Sequence, residues 1–204
     1  MYKTEQESFW AEQFGNDYIE RNNGAQLLAS NLNFFTKALT QAGKIDSCIE
    51  FGANIGMNLK ALKLLYPTLK MSGIEINKKA SEELGVLIGD ENIFNGSIFE
   101  YTNQSEKDLS IIKGVLIHIN PEMLDLVYEK LYASSKKFIL IAEYYNPSPV
   151  SIKYRGHDNK LFKRDFAGEF LKKFTEAKLI DYGFSYKGDV AFPQDDITWF
   201  LIKK

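Results

Sequence analysis

From Ser47 to Tyr145 short apolar runs alternate with helical windows, and this alternation constrains the fold more than any other feature of the sequence. Ser47 to Phe51, Lys70 to Ile76, Ile93 to Ile98, Leu109 to Ile112 and Lys137 to Tyr145 read as strands. Between them, Ile55 to Leu65, Lys78 to Leu84 and Pro121 to Leu131 repeat apolar residues at helical spacing. Strands separated by helices pair in parallel through crossovers, so the expected fold is α/β, a doubly wound and mostly parallel sheet. The rhythm changes after a helix over Arg164 to Ala177. Leu179 to Tyr186 and Thr198 to Ile202 follow with no helix between them and are expected as an antiparallel hairpin at one sheet edge.

Ahead of this core, Glu5 to Asn22 places Phe9, Trp10, Phe14, Tyr18 and Ile19 at spacings that predict helical pieces interrupted at Gly15. A second helix is predicted over Gln26 to Thr40. Both are expected to lie over the sheet edge. With 204 residues and 45% hydrophobic content the chain suits one domain. Its parts are a helical lid at 1–44, a core at 45–145, a polar acceptor loop at 146–164, and a C-terminal helix and hairpin at 165–204. A net charge of −2 gives no basic face for nucleic acid, so a small-molecule substrate is expected. No apolar run approaches the ~20 residues that cross a bilayer, so no membrane association is expected. The single cysteine, Cys48, sits in an apolar run and reads as a buried thiol in a reducing cytoplasm; no Cys/His cluster suggests a metal. The oligomeric state is open.

The turn after the first strand, "EFGANIG" from Glu50 to Gly56, joins a strand to a helix through a Gly-x-x-x-Gly spacing. Such turns aim backbone N–H groups at a ligand over the helix N-terminus. Glu75 ends the next strand, where a carboxylate accepts hydrogen bonds from two ribose hydroxyls, which points to an adenosine-containing ligand. A dinucleotide wants a third glycine and a phosphate-tolerant turn. Here Met57 and Asn58 follow Gly56, and Glu50 would repel phosphate. A ligand with a cationic amino-acid end is favoured by Glu50 instead, and S-adenosyl-L-methionine has that character. The Tyr-x-x-x-Lys pair at Tyr132 to Lys136, a pattern used by short-chain dehydrogenases, falls at a helix-to-strand junction at the wrong end of the sheet and reads as a solvated turn. "YPTLK" at Tyr66 to Lys70 is set aside for the same reason.

With Glu50-x-Gly52-x-Asn54-x-Gly56 and Glu75 the sequence resembles class I S-adenosylmethionine-dependent methyltransferases, with Asn54 where the usual motif has a glycine. The blocks "ESFWAEQFGNDYIERN", "EFGANIGMNL", "KGVLIHINPE" and "YRGHDNKLFKRDFAGEF" resemble the bacterial methylases associated with pseudaminic acid biosynthesis. The resemblance implies the seven-stranded methyltransferase fold, a cofactor at the strand C-termini, S-adenosyl-L-homocysteine as product, and a link to surface sugars or sugar nucleotides. On this reading Glu50, Gly52, Ala53 and Asn54 hold the methionine end, with Gly56 admitting the helix close to the sheet. Glu75 takes the ribose, and Ile76, Ser97 and Ile98 take the adenine. Lys113 and Gly114 sit beside the sulfonium, while Tyr18 and Arg21 reach the carboxylate from the lid. His118 is the candidate general base, with a packed structural role as its alternative. Tyr144, Tyr145, Tyr154, Arg155, His157 and Lys163 are expected to clasp a polar or anionic acceptor. Two rivals stand beside this reading: a nicotinamide-dependent reductase and a cofactor-binding scaffold without catalysis.

Overall fold

The computed structural model of the protein describes residues 2–204. A seven-stranded sheet runs β3-β2-β1-β4-β5-β9-β8. The strands are β1 (Ser47–Phe51), β2 (Lys70–Glu75), β3 (Ile93–Asn95), β4 (Lys107–Lys113), β5 (Ser135–Glu143), β8 (Lys178–Ser185) and β9 (Ile197–Lys203). The first five pair in parallel, whereas β9 inserts antiparallel between β5 and β8. Strand order reverses about β1, so the C-terminal tips of β1 and β4 diverge and leave a crevice there.

Side chains alternate across the sheet with the period of two that strands require. Cys48, Leu109, Ile111, Leu140 and Ala142 face one core, together with α3 (Ala25–Ala38), α4 (Met57–Leu65) and α5 (Lys78–Ile88). Ile49, Phe51, Ile112, Ile139 and Ile141 face the other, with α6 (Leu124–Ser134) and α7 (Phe166–Lys173). The thiol of Cys48 is buried, as expected. Tyr132 stacks on Phe174 at 4.1 Å and its hydroxyl donates to Glu176, which keeps the Tyr-x-x-x-Lys pair at the far end of the sheet. No helix among the described residues is long and apolar enough to cross a membrane.

Three expectations are corrected. The N-terminal helix breaks at Glu12, giving α1 (Glu5–Ala11) and α2 (Gln13–Arg21), and Gly15 lies inside α2. Gly15 is there for room: a Cβ would stand 1.9 Å from the Trp10 carbonyl oxygen. α1 and α2 cross above the strand tips and do not lie over the sheet edge, whereas α3 packs on α4 and against the edge strand β8. The segment read as an acceptor loop is a hairpin of β6 (Val150–Tyr154) and β7 (His157–Lys163), turned by Arg155 and Gly156 at φ 46° and 88°. Positive φ at both central residues is the tight turn that fits strand twist. Arginine is a costly choice for it, so the usual Asn-Gly or Asp-Gly hairpin signal is missing from the sequence.

Candidate functional site

A cavity of about 730 Å³ lies above the tips of β1 to β5. Its floor begins with the turn after β1, where Gly52, Asn54 and Gly56 all have positive φ. At Gly52 a Cβ would stand 2.6 Å from Val115, so glycine lets the turns after β1 and β4 touch. Asn54 tolerates the left-handed region, and its Oδ1 accepts a hydrogen bond from the Ile55 N–H at 2.6 Å. Its own N–H donates to Glu75 Oε2 at 2.7 Å, while Glu75 Oε1 accepts from the Asn77 N–H at 2.7 Å. Glu75 thus staples the turn after β1 to the turn after β2. Burial pushes its pKa up, and the backbone donors pull against that shift.

Glu50 does not line the cavity. Period two puts it on the same face as Cys48, toward α4, where Oε1 accepts from Asn58 Nδ2 at 2.6 Å and Oε2 is buried without a partner. Burial raises its pKa to about 8, against the pull of Asn58 and Lys113. Glu143, on the opposite face, accepts at Oε1 from the N–H groups of Val115 and Leu116, both at 2.9 Å; its Oε2 is also unpartnered, and burial raises its pKa to about 7. Lys113 is half-buried, with its ammonium 5.3 Å from the centre of the Phe34 ring. Desolvation lowers its pKa while Glu50, Asp195 and Glu143 oppose the shift. Each orphan carboxylate oxygen costs on the order of 1–3 kcal/mol if nothing donates to it. With pKa values raised to about 8 and about 7, these two buried carboxyls hold a proton over much of the neutral range, while Glu75 and Lys113 are the ionisable groups that reach the cavity from the floor. Above it, a Cβ on Gly114, at φ 68°, would meet nothing within 4 Å, so the floor is open to a guest there.

The cover is built from α1, α2, the β6–β7 hairpin and the β8–β9 connection. Trp10 packs edge-on against Phe14 and Tyr18, both at 5.2 Å. Lys160 Nζ pairs with Glu5 at 3.1 Å, Gln6 Nε2 donates to the Asn159 carbonyl at 2.9 Å, and Ser97 Oγ donates to Glu7 Oε1. Asn77 Nδ2 donates to Asn16 Oδ1 at 2.9 Å. These contacts close α1 and α2 over the crevice.

His118 sits where floor and cover meet, on the one-turn helix after β4, with only 7% of its surface exposed. Nδ1 lies 2.6 Å from the Lys160 carbonyl oxygen, so that nitrogen carries the proton and Nε2 keeps its lone pair. Trp10 at 4.6 Å and Tyr154 at 5.1 Å flank the ring. Desolvation depresses its pKa to about 4, so the imidazole is neutral at physiological pH. The neutral Nε2 is available to accept a proton, at a cost set by the depressed pKa.

The cavity gathers Tyr18, Arg21, Gly52, Ala53, Asn54 and Glu75. It also takes in Ile76, Ser97, Ile98, Lys113 and Gly114, and on the outer side His118, Tyr144, Tyr154 and Arg155. Burial raises the pKa of both Tyr18 and Tyr144, and Asp195 reinforces each shift. Besides Glu50, four expected residues are not brought in. Gly56 abuts α5, where a Cβ would stand 2.6 Å from Leu84. Tyr145 alternates outward from Tyr144 and lies 6.2 Å from Phe200. His157 packs on Phe9 at 5.0 Å, and the Lys163 ammonium lies 5.0 Å from the Tyr144 ring centre, outside the lining. Conversely Gln6, Glu7, Asn31, Lys187, Gln194 and Asp195 line the cavity and were missed. The last three belong to a long Gly- and Pro-containing connection, and its length was the available signal. Gln194 Nε2 donates to Asn31 Oδ1 at 2.7 Å, holding that connection against α3.

No family profile matches the chain, and no curated protein matches it in sequence. Solved structures do. The chain superposes on the mitomycin 7-O-methyltransferase with a TM-score of 0.70 at 14% identity, covering 98% of this chain and 61% of that one. It matches magnesium protoporphyrin IX methyltransferase from Synechocystis PCC 6803, solved with bound S-adenosylhomocysteine, with a TM-score of 0.68 at 13% identity over 97% of both chains. For 1,6-didemethyltoxoflavin-N1-methyltransferase from Burkholderia thailandensis the TM-score is 0.71 at 11% identity, over 98% of this chain and 86% of that one. The fold is therefore the Rossmann-like fold of class I methyltransferases.

Proposed function

We propose that the protein is a methyltransferase that takes its methyl group from S-adenosyl-L-methionine and transfers it to a small molecule of the sugar or sugar-nucleotide class. The observation that carries this reading is Glu50 Oε2, buried and unpartnered beneath a glycine turn, with Glu143 Oε2 in the same condition nearby. Once ionised, these carboxylates favour a guest bearing ammonium and sulfonium charge over the pyrophosphate of a dinucleotide.

Glu75, with a free lone pair on each oxygen, would take the ribose hydroxyls, and Ile76 and Ile98 would take the faces of the base. Gly52, Ala53, Asn54 and Gly114 would leave room for the methionine end, with Glu50 acting through its field from below; Tyr18 and Arg21 would hold the carboxylate. When bound, the cofactor supplies an electrophilic methyl group on a sulfonium. His118 Nε2 takes the acceptor's hydroxyl proton, and the Lys160 carbonyl fixes the ring that does so. Trp10 and the cover keep water out and hold the acceptor in line. Alignment of this kind is worth ~7 to 11 kcal/mol, and a positioned base adds about 10²- to 10⁴-fold.

Tyr144, Tyr154, Arg155 and Lys187 make an outer end rich in donors, with the Asp195 carboxylate as an acceptor for hydroxyls, which suits a polyhydroxylated anion. The four sequence blocks from Glu7 to Phe170 that resemble methylases of surface-sugar biosynthesis support the same acceptor class. The single buried thiol accords with a reducing compartment. Calorimetry with S-adenosylmethionine and S-adenosylhomocysteine, followed by transfer of labelled methyl groups to a panel of activated sugars, tests the reading. Binding of both cofactor forms and a labelled product are expected. Binding of neither form would refute the reading, a thermal shift with a nicotinamide dinucleotide instead would favour the reductase, and binding without product would favour the scaffold.

A further inference from the structure

We infer that Glu7, on the cover helix α1, accepts a hydrogen bond from the exocyclic amine of the cofactor's adenine, so that the base is read by the cover and not by the floor. The inference rests on the cofactor reading above. The sheet order β3-β2-β1 sets the direction along the cavity: from the turn after β1, past Glu75 at the tip of β2, to Ser97 beyond β3. The base belongs at that last position. Ser97 is the polar side chain the floor offers there, but its hydroxyl is committed. Its single hydrogen goes to Glu7 Oε1, and its oxygen accepts from the Phe99 N–H at 3.0 Å.

Glu7 has capacity left. Oε2 accepts from the N–H groups of Lys3 at 2.6 Å and Thr4 at 3.1 Å, which closes the capping box of α1; Oε1 takes only the Ser97 hydroxyl. The residue is 7% exposed and lines the cavity. Beside it Gln6, 5% exposed and also lining the cavity, has a buried Oε1 with no partner, while its Nε2 donates to the Asn159 carbonyl. A carboxylate and an amide oxygen in neighbouring positions offer acceptors alone. An amino group donates to the open Glu7 oxygen, whereas a carbonyl at the same place would set lone pairs against lone pairs. Base recognition and the docking of α1 then become one event.

The test uses the full chain and calorimetry with S-adenosylhomocysteine and its 6-oxo analogue, S-inosylhomocysteine. The unaltered protein is expected to bind the 6-oxo analogue about 10- to 100-fold more weakly, the penalty of an unmatched buried acceptor. Glu7→Gln keeps an oxygen for the Lys3 and Thr4 amides and adds a donor, so the preference should shrink to within about threefold. A folded Glu7→Gln protein that keeps the full preference overturns the inference. Hydrogen exchange on the unaltered protein gives an independent check should the variant not fold. S-adenosylhomocysteine should protect residues 5–11 more than S-inosylhomocysteine does, and equal protection overturns the inference. Failure of the unaltered protein to bind S-adenosylhomocysteine at all would overturn the cofactor reading itself, a different result from binding without base preference.

Discussion

The floor of the cavity is held by backbone groups, the cover by side chains. Below, parallel strand pairing fixes the tips of β1, β2 and β4, and Glu75 joins two turns through main-chain N–H groups. Above, α1 and α2 are fastened by an ion pair, an amide, a carboxylate and packed rings. The first arrangement has essentially one geometry. The second is a sum of contacts each worth about 1 kcal/mol, and it can yield locally without unfolding the sheet.

The sharpest way to break this division is at its seam. His118→Gln should lower kcat by about 10² to 10⁴ while leaving S-adenosylhomocysteine affinity within about twofold, because the ring is oriented by the cover and lies outside the cofactor end. Its depressed pKa adds a pH signature. The limb of kcat that reports the base should fall near pH 4, and a limb near the ordinary histidine value would contradict the burial described here.

The next test concerns the floor. Because the Glu50 pKa is raised from 4.5 to about 8, the stability linked to its protonation is fully present below 4.5 and lost as pH rises through 8. Glu50→Gln, which keeps a partner for Asn58, should therefore be more stable than the parent at pH 9, by up to a few kcal/mol, and nearly equal at pH 4. Denaturant unfolding at the two pH values measures this. The same change should cost about tenfold in preference for S-adenosylmethionine over its neutral homocysteine product at pH 9, since the anion is what favours the sulfonium. A variant that gains stability and keeps the preference would make Glu50 merely an ill-fitting core residue.

Smaller effects belong to the cover. Arg155→Asn places a residue at ease with positive φ in the hairpin turn, so stability should hold or rise by ~0.5 to 1 kcal/mol while acceptor KM climbs about tenfold. Glu5→Gln removes an ion pair whose acidic side chain is 60% exposed; unfolding free energy should move by less than about 1 kcal/mol.

The same division explains what was legible in the sequence. The seven sheet strands and the antiparallel ending follow from local periodicity, and β1 runs over the residues expected. Glu75 was legible as a carboxylate at a strand tip, but its service to the Asn54 and Asn77 amides was not, since those amides are brought to it by the fold. Glu50 was misplaced because charge type suggested a cavity-facing role while strand parity sends it toward α4. The cover resisted reading throughout. Arg155 concealed a hairpin, Gly15 served packing and did not break the helix, and Lys187, Gln194 and Asp195 reach the cavity only through tertiary contacts.

Gln6 bonds to Asn159 and Glu5 to Lys160, residues more than a hundred positions downstream. During synthesis α1 must therefore wait, with its aromatic face uncovered, until the later hairpin has left the ribosome. The Ser47–Glu75 part of the floor can form before the hairpin half of its roof has been translated. A nascent chain should then acquire the means to hold its guest late and abruptly, and a chaperone would find its best target in the first twenty or so residues.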